Sequence, residues 1–244
     1  MKYNPKLRRS TRSTKAYNNK TYLNSREARS IRIQCEMEEP RMRMKRLGVD
    51  HLVTFFGSAR SKPGEPDYEK VYNLSRKIAE WCNNYTNIAI SSGGGPGMME
   101  AVNKGAFDVN CPSVGMGISL PFEQRNNEFI STDLDFEFHY FFTRKYWCTY
   151  LTKGFLAVPG GFGTMDEIFE ILTLIQTDKL NKTLPIVLFD EDFWNTTINF
   201  QSLVDRGTIS ASDLDLFLIT SDEKKAVDHI TTNIEQNYNL ILRE

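Results

Sequence analysis

The sequence has few of the residues that hold metals or build disulfide frameworks. Its 244 residues include three histidines, which do not cluster, and four cysteines without a CxxC pair, Cys35, Cys82, Cys111 and Cys148. This spacing argues against a structural zinc site and favours the reduced thiols of a cytoplasmic protein. No apolar run approaches the roughly 20 residues that span a bilayer, and no secretory hydrophobic segment is seen, so no membrane partner is expected.

Two nucleotide-binding signatures are also missing. No glycine-rich stretch carries the lysine and Ser or Thr of a P-loop, and none has the GxGxxG spacing. The sequence therefore supports neither a nucleoside triphosphatase nor a classical dinucleotide site.

The sequence repeats one pattern, in which an apolar run is followed by a glycine-rich turn and then by apolar residues at helical spacing. The runs at 51–56, 88–92 and 155–158 each end in glycine-rich turns. Further strands are predicted at 113–120, 136–142 and 184–189, and helices from 67 onward and at 143–151, 164–177 and 221–238. This alternation predicts an α/β fold, a Rossmann-like doubly wound parallel sheet, with ligands at the carboxyl ends of its strands.

The N-terminal region differs from the rest of the chain in charge. Residues 1–50 hold 14 Lys or Arg against 5 Asp or Glu, although the whole chain carries a net charge of −1. We predict a basic flexible arm at 1–25, a helical extension at 26–48 broken near Pro40, and one catalytic domain at 49–244. The arm resembles a nucleic-acid-contacting tail or a transit segment, but packing on its own subunit or a partner is preferred, and nucleic acid is not expected as a partner.

The segment 159–167, PGGFGTMDE, is the most informative turn. Backbone N–H groups at a helix start attract an anion, and glycines allow its close approach. Thr164 is the predicted N-cap. Glu167 has two interpretations, a capping-box residue that returns to the N-cap amide or a carboxylate that takes part in chemistry. Its candidate partner is Arg144, one element upstream, which could equally form an ordinary salt bridge or a surface charge.

Four sequence motifs, taken in order, resemble those of a known family. The motifs are GGGPGMMEA at 93–101, LPFEQ at 120–124 with Asn127, FFxRK at 141–145 and PGGxGTxxE at 159–167. In this order they resemble the LOG (LONELY GUY) family of cytokinin riboside 5′-monophosphate phosphoribohydrolases, often labelled lysine decarboxylases. The segments FGSAR at 56–60 and LTLIQT at 172–177 are closer to its longer, bacterial-type branch.

The resemblance implies an activity and a site. Family members hydrolyse the N-glycosidic bond of a nucleoside 5′-monophosphate, such as AMP or a cytokinin ribotide, and work as homodimers or larger homo-oligomers. Their catalytic arginine and glutamate match Arg144 and Glu167. The substrate-binding positions expected from the motifs are Gly94, Gly95, Gly97, Gly160, Gly161, Gly163, Thr164, Lys145, Ser58, Glu123 and Asn127. No metal or redox cofactor is required by this chemistry.

One alternative remains open, and a second activity is disfavoured. A Rossmann-like protein could bind a nucleotide or carry a cofactor such as molybdopterin without hydrolysis, and glycine loops alone would suffice for that. A pyridoxal-dependent decarboxylase would need a Schiff-base lysine with a phosphate cup, and nothing marks Lys145 or Lys153 as that residue. Retention of both Arg144 and Glu167 favours the hydrolase.

Overall fold

The computed structural model describes residues 14–119, 126–180 and 182–243. Within them the chain forms one parallel sheet of seven strands in the order β4-β3-β2-β1-β5-β6-β7. The strands are β1 (His51–Phe56), β2 (Ile88–Ser92), β3 (Ser113–Ile118), β4 (Asp135–Phe138), β5 (Thr152–Ala157), β6 (Ile186–Phe189) and β7 (Leu218–Thr220). The predicted Rossmann-like α/β fold is confirmed.

The strand order creates a crevice between β1 and β5. From β1 the chain runs outward through β2 and β3 to β4, and it then returns to place β5 against the other side of β1. The loops that follow β1 and β5 therefore leave the sheet in opposite directions. In open parallel sheets this switch point is where ligands bind.

Helices cover both faces of the sheet. They are α1 (Lys20–Leu23), α2 (Arg29–Arg46), α3 (Pro66–Cys82), α4 (Met98–Phe107), α5 (Phe141–Tyr150), α6 (Phe162–Gln176), α7 (Glu191–Thr197), α8 (Phe200–Asp205) and α9 (Glu223–Asn237). Successive residues of a strand point to opposite faces. In β1, Val53 and Phe55 pack in the core with α3, α4 and α9, whereas Leu52 and Phe56 share the opposite core with α2, α5 and α6.

The predicted break of the leading helix at Pro40 is wrong, because α2 continues through the proline. Proline has no N–H to donate to the carbonyl four residues earlier, which here belongs to Glu36. The indole Nε1 of Trp147 in α5 donates to that carbonyl at 2.8 Å. A donor from another helix thus replaces the missing bond, and the buried Pro40 becomes part of a helix–helix contact.

The part of the basic arm that the structure describes contains a 3₁₀ turn at Ala16–Asn18 and the short helix α1. Residues 1–13 lie outside the described ranges, so the flexibility of the arm and the domain boundaries stay predictions. None of the helices in the described ranges is long and apolar enough to cross a membrane. All four cysteines are free thiols, and only Cys35 is exposed.

Candidate active site

The crevice between β1 and β5 opens into a cleft of about 1080 Å³. The turns after the strands are tied together at Ser58, whose N–H donates to the carbonyl of Pro159 at 3.0 Å. Its own carbonyl accepts from the N–H of Met98, the first residue of α4, at 2.8 Å. The three glycine junctions predicted from the sequence therefore meet at one place.

Glycine is needed where these turns touch. A Cβ on Gly57 would lie 2.4 Å from the Val158 side chain, and a Cβ on Gly97 would lie 2.5 Å from the Ser58 carbonyl oxygen. Gly97 also has φ of +71°, in the region that L side chains rarely adopt. These two glycines hold the walls of the cleft close to each other.

Replacement of Gly97 by alanine is expected to lower the free energy of unfolding by roughly 2 kcal/mol or more, since it adds both a backbone clash and an unfavourable φ. Urea unfolding of the purified variant would measure this. The control is Gly161→Ala, because Gly161 has φ of −96° and a Cβ there meets no atom within 4 Å. Equal losses in both variants would contradict the steric explanation.

The first turn of α6 differs from the sequence prediction. The helix begins at Phe162 with Gly161 as its N-cap, so the predicted N-cap, Thr164, is the third residue of the helix. The Thr-x-x-Glu pattern therefore does not form a capping box, and Glu167 lies about one and a half turns into the helix. The capping interpretation of Glu167 is wrong because the glycine turn starts the helix earlier.

Glu167 is instead paired with Arg144 of α5. Nη1 of Arg144 donates to Oε1 of Glu167 at 2.7 Å, and Nε donates to the carbonyl of Met116 in β3 at 3.0 Å. The side chains of Arg144 and Glu167 are 11% and 2% exposed. Oε2 of Glu167 is buried and accepts no hydrogen bond from any residue that the structure describes.

The pKa values of Glu167 and Arg144 are both raised, but for different reasons. Burial raises the pKa of Glu167 above its ordinary value, and the positive charges of Arg144 and Lys145 oppose that rise only in part. Burial alone would lower the pKa of Arg144, but Cys148 and Glu167 outweigh it, and the pKa of Arg144 is raised. A permanent cation therefore lies beside a carboxyl group that holds its proton more firmly than an exposed one.

Arg144 forms part of the cleft wall, and Glu167 lies directly behind it. The turn before α6 contributes Gly160 and Gly161 to the same wall, and the first turn of α6 contributes Gly163 and Thr164. A Cβ on Gly160 would collide with the Thr164 side chain, but positions 161 and 163 face open space. Neither φ nor the atoms of the described residues require glycine at 161 and 163, and the space beside both positions is open.

The other predicted binding residues differ in their position relative to the cleft. Ser58 lines the cleft, as does Gly93 at the start of the second glycine loop. Gly94, Gly95 and Gly97 are not in the cleft wall. Asn127 supports that loop from behind, since its side-chain amide donates to the carbonyls of Gly94 and Gly95 at 3.1 and 3.0 Å.

Lys145 points away from the cleft. Its Nζ forms ion pairs with Asp166 at 2.8 Å and Glu170 at 2.6 Å, which join α5 to α6. Glu123, with the rest of the LPFEQ motif, lies outside the described residues. Substrate contacts at these positions stay predictions.

Several residues of the cleft wall were not among the binding residues predicted from the sequence. Arg60 and Asp67 come from the turn and helix after β1, and Phe193 comes from α7. Arg60 could have been found from its place just beyond the first glycine junction. Phe162, which is 95% exposed, lies inside the motif itself.

The chain is similar to proteins of known family. Residues 99–230, which include Arg144 and Glu167, match the model of a family described as possible lysine decarboxylase. A 77-residue stretch is 29% identical to the probable cytokinin riboside 5′-monophosphate phosphoribohydrolase LOG4 of Oryza sativa subsp. japonica. That stretch is 32% of this chain and 34% of the rice protein, so the match spans about a third of its curated relative.

Two solved structures share the fold. TM1055, a structural-genomics target, is 19% identical with a TM-score of 0.51, over 76% of this chain and 99% of that one. The molybdenum cofactor carrier protein of Chlamydomonas reinhardtii is 17% identical with a TM-score of 0.55, over the same 76% and 99%. At these identities the likeness concerns architecture alone.

Proposed function

Because this chain belongs to the LOG family, we propose that it is a nucleoside 5′-monophosphate phosphoribohydrolase. The observation that carries the proposal is the buried Arg144–Glu167 pair beside a glycine turn at a helix start. In the proposed reaction water adds to C1′ of the ribose and the C1′–N bond breaks. The base leaves with the bonding electrons and takes up a proton, and ribose 5-phosphate remains.

The start of α6 is the proposed phosphate site. The first N–H groups of a helix have no acceptor within the helix, and the helix dipole adds positive potential there. Open space at Gly161 and Gly163 lets phosphate oxygens approach the backbone, and the Thr164 hydroxyl lies on the same wall. A 5′-phosphate held there directs the ribose toward Arg144.

Arg144 and Glu167 are the proposed catalytic pair. Positive charge develops on the ribose ring as the glycosidic bond breaks, and a carboxylate beside the ring stabilises it. Oε2 of Glu167 is buried and has no hydrogen-bond partner among the described residues, and it is the proposed acceptor for a ribose hydroxyl or the attacking water. We propose that the Arg144 guanidinium turns toward the substrate on binding, which opens Glu167 to the cleft.

Aromatic residues at the cleft rim support a substrate with a flat base. Phe141 and Phe162 are 55% and 95% exposed and both line the cleft. A flat base gains stacking energy on such rings. The similarity to a cytokinin riboside 5′-monophosphate phosphoribohydrolase makes AMP and a cytokinin ribotide the proposed substrates.

A homodimer is also part of the proposal. Phe142, Tyr146 and Tyr150 are 52%, 40% and 50% exposed along α5, and the last two rings stack at 5.1 Å. Exposed aromatic residues on one helix are typical of a surface that another chain covers.

The test is release of free base from AMP, GMP, CMP, UMP and isopentenyladenosine monophosphate, followed by chromatography. We expect base from at least one purine nucleotide and far less from adenosine, because adenosine lacks the phosphate that α6 would hold. Binding of AMP by calorimetry without release of any base would instead favour a nucleotide-binding protein that does no hydrolysis. Equal turnover of AMP and adenosine would contradict the phosphate site.

A further inference from the structure

Among the contacts between helix α2 of the N-terminal extension and α5, the helix that carries Arg144, the hydrogen bonds all involve Glu36. The Glu36 carboxylate accepts hydrogen bonds from the N–H of His139 at 2.9 Å and of Tyr140 at 3.3 Å. It also accepts the Thr143 hydroxyl at 2.5 Å. Tyr140 is the N-cap of α5, and its own side chain provides no capping bond. A carboxylate from another helix therefore holds the two N–H groups that precede α5 and the hydroxyl of the third residue of α5.

The backbone carbonyl of Glu36 forms a second contact with α5. Its carbonyl lacks the usual donor because residue 40 is proline, and it accepts the Trp147 indole N–H instead. Trp147 is 1% exposed and lies one turn beyond Thr143 on the same helix. Glu36 thus contacts α5 on both sides of Arg144.

These contacts fix the direction in which Arg144 leaves its helix. Thr143 is fully buried and immediately precedes Arg144. The Arg144 guanidinium donates to two acceptors at once, from Nε to the Met116 carbonyl at 3.0 Å and from Nη1 to the Glu167 carboxylate at 2.7 Å. A shift of about 1 Å in the first turn of α5 would break one of these two bonds, and displacements of that size are costly in catalysis. Glu36 itself is not part of the cleft wall.

We propose that Glu36 is a positioning residue, which acts through Arg144 by holding both the first turn of α5 and Trp147. The inference rests on the proposed function insofar as Arg144 acts on the substrate. The N-terminal extension would then support the active site, although Glu36 is not part of the cleft wall.

The test is a double-mutant cycle between positions 36 and 144, with kcat and KM for AMP and thermal unfolding measured for every variant. Glu36→Ala is expected to lower kcat roughly tenfold. In the Arg144→Lys background, which keeps the charge but not the fork, the same change is expected to cost less than about twofold. Glu36→Gln keeps one acceptor oxygen and should recover part of the loss.

The matched control is Glu38→Ala on the same helix. Glu38 pairs with Arg41 at the surface, with its side chain 52% exposed, and its loss should leave kcat unchanged. Equal losses from Glu36→Ala in the wild-type and Arg144→Lys backgrounds, or losses that follow the melting temperature alone, would overturn the positioning role.

Binding of ribose 5-phosphate to the same variants separates this inference from the proposed function. Absence of base release by the wild-type protein would reject the phosphoribohydrolase activity. Coupling between positions 36 and 144 would still be read from ribose 5-phosphate affinity, and equal losses in both backgrounds would overturn the positioning role there too.

Discussion

Replacement of Glu167 by glutamine is expected to lower kcat for AMP by roughly a thousandfold, within the range that single catalytic carboxyl groups contribute. The amide has nearly the shape of the carboxylate, and its oxygen can still accept from Nη1 of Arg144. It carries no negative charge to stabilise the developing cation on the ribose. Activity should therefore disappear while the protein stays folded, which base release and thermal unfolding would measure together.

The control for this variant is Glu170→Gln, one turn later on α6. Glu170 pairs with Lys145 and lies outside the cleft wall, so its change should leave kcat nearly unaffected. Full activity in Glu167→Gln would refute the catalytic role and leave Glu167 as a buried salt-bridge residue. A similar loss in both variants would indicate that packing between α5 and α6 is what matters.

The pH profile of the wild-type enzyme provides a second check on the same residue. Burial raises the pKa of Glu167, so the active carboxylate form is lost at a higher pH than it would be for an exposed glutamate. The value of kcat should fall as the pH is lowered through this raised pKa, with the midpoint above the ordinary value of about 4.3. An acid limb at or below the ordinary value would contradict the assignment.

The fold could be predicted from sequence because its central strands are buried on both faces. The runs at 51–56 and 88–92 are apolar enough to mark β1 and β2 to the residue. The signal fails at the sheet edge, where β7 has only three residues and is partly exposed. The short helices α7 and α8 were missed for a similar reason, since seven and six residues give little periodicity.

The sequence identified the main residues of the site, but it could not show how their side chains are arranged around the cleft. Motifs identified Arg144 and Glu167, and the topology brings them into contact because α5 leads into β5 and α6 leaves it. Spacing could not show that Glu167 lies behind Arg144, or that Lys145 turns toward Asp166 and Glu170. Nor could it show that a carboxylate from α2 would bind the backbone just before α5, since Glu36 and Tyr140 are 104 residues apart.

Replacement of Arg144 by alanine is expected to abolish base release and to destabilise the protein more than Glu167→Gln does, because the glutamine amide still accepts from Nη1 of Arg144. Arg144→Ala leaves Glu167, which is 2% exposed, without its only ion-pair partner among the described residues. Removing one member of a buried pair costs about 3–5 kcal/mol, because the remaining charge is neither hydrated nor neutralised. Urea unfolding at neutral pH would measure the loss.

The pH dependence of that loss distinguishes an unpaired charge from a packing defect. Without Arg144 the pKa of Glu167 in the folded state should rise further above its unfolded value, since the charge that opposes burial is gone. A group with a raised folded pKa adds stability below its unfolded pKa and loses it as the pH rises through the folded value. The stability gap between Arg144→Ala and the wild type should therefore narrow as the pH falls from 8 toward about 5. In the double variant Arg144→Ala/Glu167→Gln that dependence should be absent, whereas a gap that stays constant with pH in both variants would mean that lost packing, not an orphaned carboxylate, causes the destabilisation.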